Sequence, residues 1–575
     1  MTRFNSRLAV VCLIAAVTLT LFALMRVPLT RLDVAFTFVG DAVDKLTQIK
    51  TVAESGWLFR NDRLGFPFGY DRLDFPRFDS PNYAIMGPIA AITGEAGTAM
   101  NLYFIAGFYL IALTAFFSFR HLGFSIAVAL ICALLYAFLP YHIWRGVFHI
   151  TNGAYYLVPL AMLVLVRLAQ GRIGADDAAS RKRWIWALVV AALLPLQMPY
   201  NGVFFAFLCV VACAISLASS WRWRQGLVAV SLIAATVVSF SVEQIPVWIN
   251  AAQKGSIELP RLVVEAELYG MRLNQVLLPT EQHRLAKFRD ITGHFNADMH
   301  VPKVESRNQY VGILGVVGFL ALLWALMKSV RRQREESREI ESVVAITAIL
   351  SIAAFLLATT SGVGTLIAFF VTDNIRAFNR ILPFLAFGAL VGGAWVLQWL
   401  FSYIRGTIVR AAVAVLVGIF LLLDTVILTE PAAVRAQQIA SYDQAKAYFT
   451  EVEGVLGNGA AVFQMPFLFY PEHPPVERMF NYDDFVPYLL TKTLRFSAGA
   501  GRQREGYKWG HAVEGLQPPA IITEVRAKGF DAILIDGYAY KPEQLQSLVQ
   551  GFSAELPTPP VVSPDQRWWT FSLKD

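Results

Sequence analysis

The sequence predicts an α-helical polytopic membrane protein of about eleven transmembrane helices, ending in a small α/β domain on the side away from the cytoplasm. Composition is the first reason. Of 575 residues, 56% are hydrophobic and only 16% charged, whereas a soluble protein carries roughly a quarter charged residues. The second reason is grouping. Apolar runs long enough to cross the hydrocarbon core, which takes roughly 20 residues of helix, recur through residues 8–428. The third is the asymmetry of the connecting loops, in length and in charge.

The first run, Leu8 to Met25, follows Arg3 and Arg7, and the VPLTRLD after it offers no small-residue cleavage site, so it is expected to stay as a span. Further spans are expected near 98–118, 123–140, 154–170, 184–199, 202–220, 225–247, 310–328, 343–360, 381–400 and 411–429. Alternating them gathers the basic residues into short loops on the N-terminal side: Arg120; Arg167, Arg172, Arg181, Lys182 and Arg183; Arg222 and Arg224; Lys328, Arg331, Arg332, Arg334 and Arg338; Arg405 and Arg410. By the positive-inside rule that side is the cytoplasm. The net charge of +7 is therefore read as a topology signal, with no nucleic-acid partner expected. Cys12, Cys132, Cys209 and Cys213 all lie inside apolar runs, without CxxC metal spacing, and read as packing residues.

The other face carries the long segments 26–97, 141–153, 248–309 and 361–380 and the tail 430–575. Structureless loops of that length are uncommon, so function is expected there. The tail alternates β-like runs (Ala461 to Gln464, Ala532 to Asp536, Trp568 to Leu573) with helical stretches (Tyr442 to Val455, Pro542 to Val549), the pattern of an α/β domain with a core of its own. Residues 1–429, with loops 26–97 and 248–309, form the membrane module.

Candidate chemistry begins at Gly40-Asp41-Ala42-Val43-Asp44-Lys45, where residues 41–58 read as an amphipathic helix. Carboxylates at i and i+3 are neighbours, so Asp41 and Asp44 could share a divalent cation or act as a general base. Equally, Asp41 could cap the helix with Asp44 in its first turn. Phe66-Pro67-Phe68-Gly69-Tyr70-Asp71 and Asp79-Ser80-Pro81-Asn82-Tyr83 suit either a membrane interface or a sugar-binding wall. His283 with Arg284, and the i, i+4 pair Arg376 and Arg380, which reads as one helix face, are basic groups on the outer face. Each could hold a phosphate, with solvation or snorkelling as the alternative. In the tail, Tyr482-Asp483-Asp484, Arg495, Arg502, Arg504, Trp509 and His511 suit saccharide contact or an ordinary surface. Walker A, HExxH, GxSxG and dinucleotide motifs are absent from the sequence. Glu243 and Asp424 both lie near the outer ends of their spans, which weighs against an ion-coupled pump.

The order of a first span, a long loop opening with GDAVDKL, a multi-span bundle and an outer α/β tail resembles the GT-C superfamily of membrane glycosyltransferases. RLVVEAELYGMRLNQVLLPTEQHR, NIRAFNRILPFLAF and GFDAILIDGYAY resemble bacterial polytopic proteins of that kind. The resemblance implies a bacterial inner-membrane transferase that moves a sugar from a polyprenyl-phosphate-linked donor to a cell-envelope acceptor at the periplasmic face, its N-terminus cytoplasmic. It implies Asp41, then Asp44, as the acidic catalytic residue, and by position Arg284, Arg376 and Arg380 as contacts of the donor phosphate; His283 and Asp79 are further candidate substrate contacts. Superfamily members often carry DxD or ExD where this chain has DxxD, so metal dependence stays open, a divalent cation being one candidate. A transporter or flippase of lipid-linked saccharide, or a non-catalytic envelope scaffold, are the competing readings.

Overall fold

Helices make up most of the computed structural model through residue 429, joined by long irregular segments such as 25–40 and 56–71. It describes residues 3–574 except 76–78, 175, 221–222, 258–260, 303 and 332–338. Of the basic loop residues expected above, Arg222, Arg332, Arg334 and Arg338 lie outside the described residues.

The chain begins with α1 (Arg3–Leu19), α2 (Asp41–Ser55), α3 (Ser80–Thr93), α4 (Ala96–His121), α5 (Ile126–Ala137), α6 (Pro140–Arg145), α7 (Ile150–Gly153) and α8 (Val158–Ala169). It continues with α9 (Ala178–Gln197), α10 (Pro199–Ser220), α11 (Arg224–Lys254), α12 (Val264–Leu268), α13 (Leu273–Leu277) and α14 (Ala286–Asp298). The bundle closes with α15 (Gly312–Arg331), α16 (Glu339–Ala358), α17 (Val363–Phe370), α18 (Leu382–Ser402) and α19 (Thr407–Thr425). Among the described residues, eight helices are long and apolar enough to cross a membrane, Ser6–Leu24 being the first and Thr407–Thr425 the last. Val158–Ala169 and Gly312–Lys328 are shorter apolar helices, and α9, with Arg181, Lys182 and Arg183 near its start, occupies the remaining expected position. The chain is a multi-pass helical membrane protein.

Two local breaks shape the end of the bundle nearest the tail. Met198 is extended (φ −158°, ψ 115°), and Pro199, which cannot donate to a preceding turn, starts α10. In the same way Phe138 and Leu139 leave helical geometry before Pro140 starts α6, which carries Arg145 beyond the end of α5. Deeper in the bundle α15 and α18 approach through glycines: a Cβ on Gly318 would lie 2.0 Å from the Ala389 carbonyl oxygen. Small residues permit that approach where lipid supplies no hydrophobic drive.

The tail adds α20 (Ala432–Leu456) and a five-stranded sheet of β1 (Ala461–Met465), β2 (Arg495–Phe496), β3 (Ala532–Asp536), β4 (Val561–Val562) and β5 (Trp568–Ser572), in the order β2-β1-β3-β5-β4. β1 runs parallel to both β2 and β3, while β5 is antiparallel to β3 and β4. One sheet face, with Phe463, Ile533 and Phe571, packs on Ile521, Val525 and Phe552. The other shares its core with Val34, Val43, Leu64 and Phe75 of the first outer segment, so this half of the tail core is not the tail's alone. Edge strand β2 is covered by that segment: Phe66 N–H donates to Phe496 O at 3.0 Å, and Phe496 N–H to Arg63 O at 2.7 Å. Chain leaving the carboxyl ends of β1 and β2 reaches the membrane module, which is where open α/β sheets place ligand-facing loops.

Candidate active site

Asp41 is the first residue of α2; its cap position belongs to Gly40 (φ 56°, ψ −131°), so the capping role considered for Asp41 does not hold. The helix also stops earlier than expected, at Ser55, before Gly56 (φ 83°). A Cβ on Gly40 would lie 3.0 Å from the Phe148 ring, so glycine here lets the 146–149 turn close on the start of α2.

That turn brings His149 Nε2 to 3.3 Å from Asp41 Oδ2, and 46% of the Asp41 side chain stays exposed. Burial pushes the Asp41 carboxyl up, but the His149 hydrogen bond and the charges of Lys45 and Arg380 outweigh it, leaving the carboxyl below its ordinary range. Burial likewise lowers His149, more than Asp41 raises it, so the ring is neutral near pH 7. Its tautomer follows from its neighbours. Arg145 Nη1, only ever a donor, lies 3.3 Å from Nδ1, so Nδ1 accepts and Nε2–H donates to Asp41.

The row continues through Arg145 Nη1 to Glu305 Oε2 at 2.5 Å and from Glu305 Oε1 to Arg380 Nε at 3.2 Å. Burial raises the Glu305 carboxyl, yet Arg145 and Arg380 together hold it well below its usual range. Arg380 lies 4.9 Å above the Tyr200 ring, and the Tyr200 hydroxyl accepts from Arg376 N–H at 3.4 Å. Arg145 is fully buried between Tyr141 and Trp144, and its Nε and Nη2 meet no acceptor among the described residues.

Asp44 turns away from Asp41. It is buried, accepting from Gln48 Nε2 at 2.6 Å and from the Tyr470 hydroxyl at 3.3 Å, and burial pushes its carboxyl up. The i, i+3 pair therefore does not converge. Among the described residues no group of three or more His, Cys, Asp or Glu side chains is placed to hold a metal ion, so these side chains alone do not fit a metal cradle. Asp79 is buried with Lys45 Nζ 3.8 Å from its Oδ2, and the charge of Lys45 also acts on Asp41.

Arg376 and Arg380 do not share a helix face. Ala377 (φ −107°, ψ 69°) is not helical, and only the short turn Phe378–Ile381 follows. Arg376 instead pairs with Glu265 at 2.7 Å and approaches Glu472 of the tail at 3.9 Å, which Arg261 also meets, at 2.8 Å. His283 is fully buried: Nε2 lies 3.2 Å from Asp424, and Nδ1 accepts from Leu285 N–H. Arg284 bridges the outer ends of α1 and α19 through the Leu24 and Val426 carbonyls. Neither shares a partner with the Asp41 row. The aromatics considered as a sugar wall pack on the tail, Phe66 against Phe530 and Phe68 against Trp509. Asp483 and Arg504 are likewise engaged, with Arg567 and Asp74.

Sequence reasoning missed Lys45, Arg145, His149, Arg261, Glu305 and Glu472. For Arg145 and Arg261 a signal existed, because both are cations in segments that the sequence reading places away from the cytoplasm, where the positive-inside rule disfavours them.

No protein-family model and no curated protein matches the chain. Solved structures match by shape. Apo ArnT from Cupriavidus metallidurans has a TM-score of 0.52 and 13% identity, covering 99% of this chain and 98% of that one. The same protein bound to undecaprenyl phosphate scores 0.49 at 12% identity, covering 98% of each. The apo oligosaccharyltransferase of Archaeoglobus fulgidus scores 0.47 at 13% identity, covering 93% of this chain and 70% of that one. At such identities the likeness is one of fold, and over nearly its whole length the chain has the fold of ArnT, the GT-C fold that its sequence resembles.

Proposed function

We propose that the chain is a glycosyltransferase that moves a sugar from a polyprenyl-phosphate-linked donor to a cell-envelope acceptor, at the membrane face opposite its N-terminal side. One observation carries the reading: Asp41 is a half-exposed carboxylate kept ionised by a neutral His149, beside a row of arginines. The ArnT-like fold supports it.

The acceptor hydroxyl gives its proton to Asp41 Oδ as its oxygen bonds to the anomeric carbon. The bond from that carbon to the phosphate oxygen breaks, and the lipid phosphate departs with the electron pair, inverting the configuration. Arg376 and Arg261, which share Glu472, are the cations such a phosphate meets by taking the place of the glutamate. The protein contributes position and fixed charge.

Asp41→Asn keeps the shape and removes the base. Membranes containing it, given radiolabelled polyprenyl-phosphate sugars, should transfer label to the envelope fraction at least ~10²-fold more slowly than wild type. Undiminished transfer would remove Asp41 from the chemistry. Label that crosses the membrane still attached to its lipid would favour transport.

A further inference from the structure

Arg284, like Arg289 and Arg435, bonds to backbone carbonyls and meets no carboxylate among the described residues. Arg31, Arg145, Arg261, Arg376, Arg380 and Arg504 each meet a carboxylate. Arg284 instead donates from Nε to Val426 O at 2.8 Å and from Nη2 to Leu24 O at 2.7 Å. These carbonyls end α19 and the turn that continues α1, where helices leave acceptors unpaired. A guanidinium has five donors, and these two bonds leave Nη1 uncommitted. Burial and the like charge of exposed Arg26 both lower Arg284 below its usual range, and neither arginine has a carboxylate partner among the described residues.

Directly beneath lies an apolar groove of about 580 Å³. α5 forms its floor and packs against both α1 and α19. Leu13, Ala16 and Leu24 line one wall, and Ala414, Gly418 and Leu422 the other. Its volume falls within the roughly 300–1,000 Å³ of ligand sites. An apolar cavity of this kind excludes water, so within a membrane a hydrocarbon chain is its natural occupant. Two cations without a carboxylate partner, one of them bonded to the carbonyl of Leu24 in the groove wall, call for an anion joined to a hydrocarbon chain.

We propose that this groove is a lipid-binding site, sharing no residue with the Asp41 row, that seats an acyl chain of one anionic glycerophospholipid whose headgroup phosphate lies between Arg26 and Arg284. The lipid chain fills the apolar gap between α1 and α19 next to the bridge that Arg284 makes across their ends.

The test is native mass spectrometry of the purified full chain titrated with phosphatidylglycerol, with zwitterionic phosphatidylcholine in parallel. The expected result is one saturable phosphatidylglycerol that phosphatidylcholine does not replace. Arg26→Gln, at an exposed residue with no ion pair, should weaken phosphatidylglycerol about fivefold, the effect of about one surface charge, and leave phosphatidylcholine unchanged. Gly418→Leu fills the groove from a position where a Cβ meets Ile131 at an ordinary 3.6 Å. It should abolish the saturable event while the lipid-free protein melts as wild type does. Equal binding of both lipids, or phosphatidylglycerol binding unchanged in both variants, would mean annular lipid only and would overturn the proposal.

Discussion

Asp41 and Asp44 stand one helical turn apart and meet opposite surroundings. Asp41 receives a hydrogen bond from His149 and opens to solvent; Asp44 is enclosed by Gln48 and Tyr470. The sequence marked both, through GDAVDK, but not which would stay open to solvent. That choice depends on His149, more than a hundred positions away, and on a turn whose shape is set by packing against Gly40. The same contact governs pH dependence. Because the Asp41 carboxyl is held below its ordinary range, its ionised form adds stability above the unfolded carboxylate value of roughly 4 and loses it as pH falls through the lower folded value. Replacing His149 by Ala leaves burial without its main counterweight. The acid limb of the pH–transfer profile should then move to higher pH, and a limb that stays put would show that His149 does not set the ionisation of Asp41.

At the scale of elements, the spans and three strands were legible because apolar runs and β-branched runs are local signals. The β1 and β3 positions agree with expectation to within one residue, whereas α20 begins ten residues before the expected Tyr442. The Arg376–Arg380 relation was not legible, since the segment gives up helical geometry in favour of pairings with Glu265, Glu472 and Glu305 from distant elements. Two glycines test how elements set the site and the bundle. Gly40→Ala forces a side chain into a backbone region that costs about 1–3 kcal/mol and presses on Phe148. Transfer activity should fall while the span helices, followed by circular dichroism, persist. Gly318→Val sets a side chain against the α18 backbone, so the detergent-solubilised protein should lose about 1–3 kcal/mol and melt earlier. An unchanged melting temperature would mean that α15 and α18 are free to separate.

Across the whole molecule, the tail is joined to the membrane module by polar ties as well as by a shared core. Arg504 holds both oxygens of the buried Asp74, at 2.9 and 2.6 Å, and also bonds the carbonyls of Lys254 and Gly255 at the end of α11. Arg504→Ala leaves the Asp74 carboxylate with Asn250 as its remaining side-chain donor among the described residues, a loss of about 3–5 kcal/mol for a broken buried pair. Limited proteolysis should then cut between module and tail sooner than in wild type. Arginine and aspartate are visible in any sequence; their pairing across 430 positions is not. The seal over strand β2 has a consequence for biogenesis. Arg63 finds its partners Thr491 and Leu494 only after 428 and 431 further residues have been made. The first outer segment must therefore wait, unpaired, while every span enters the bilayer, and long-range pairings of this kind form late. A ribosome stalled after α19 but before β2 would leave the helical bundle made and its first outer segment without the tail that covers it.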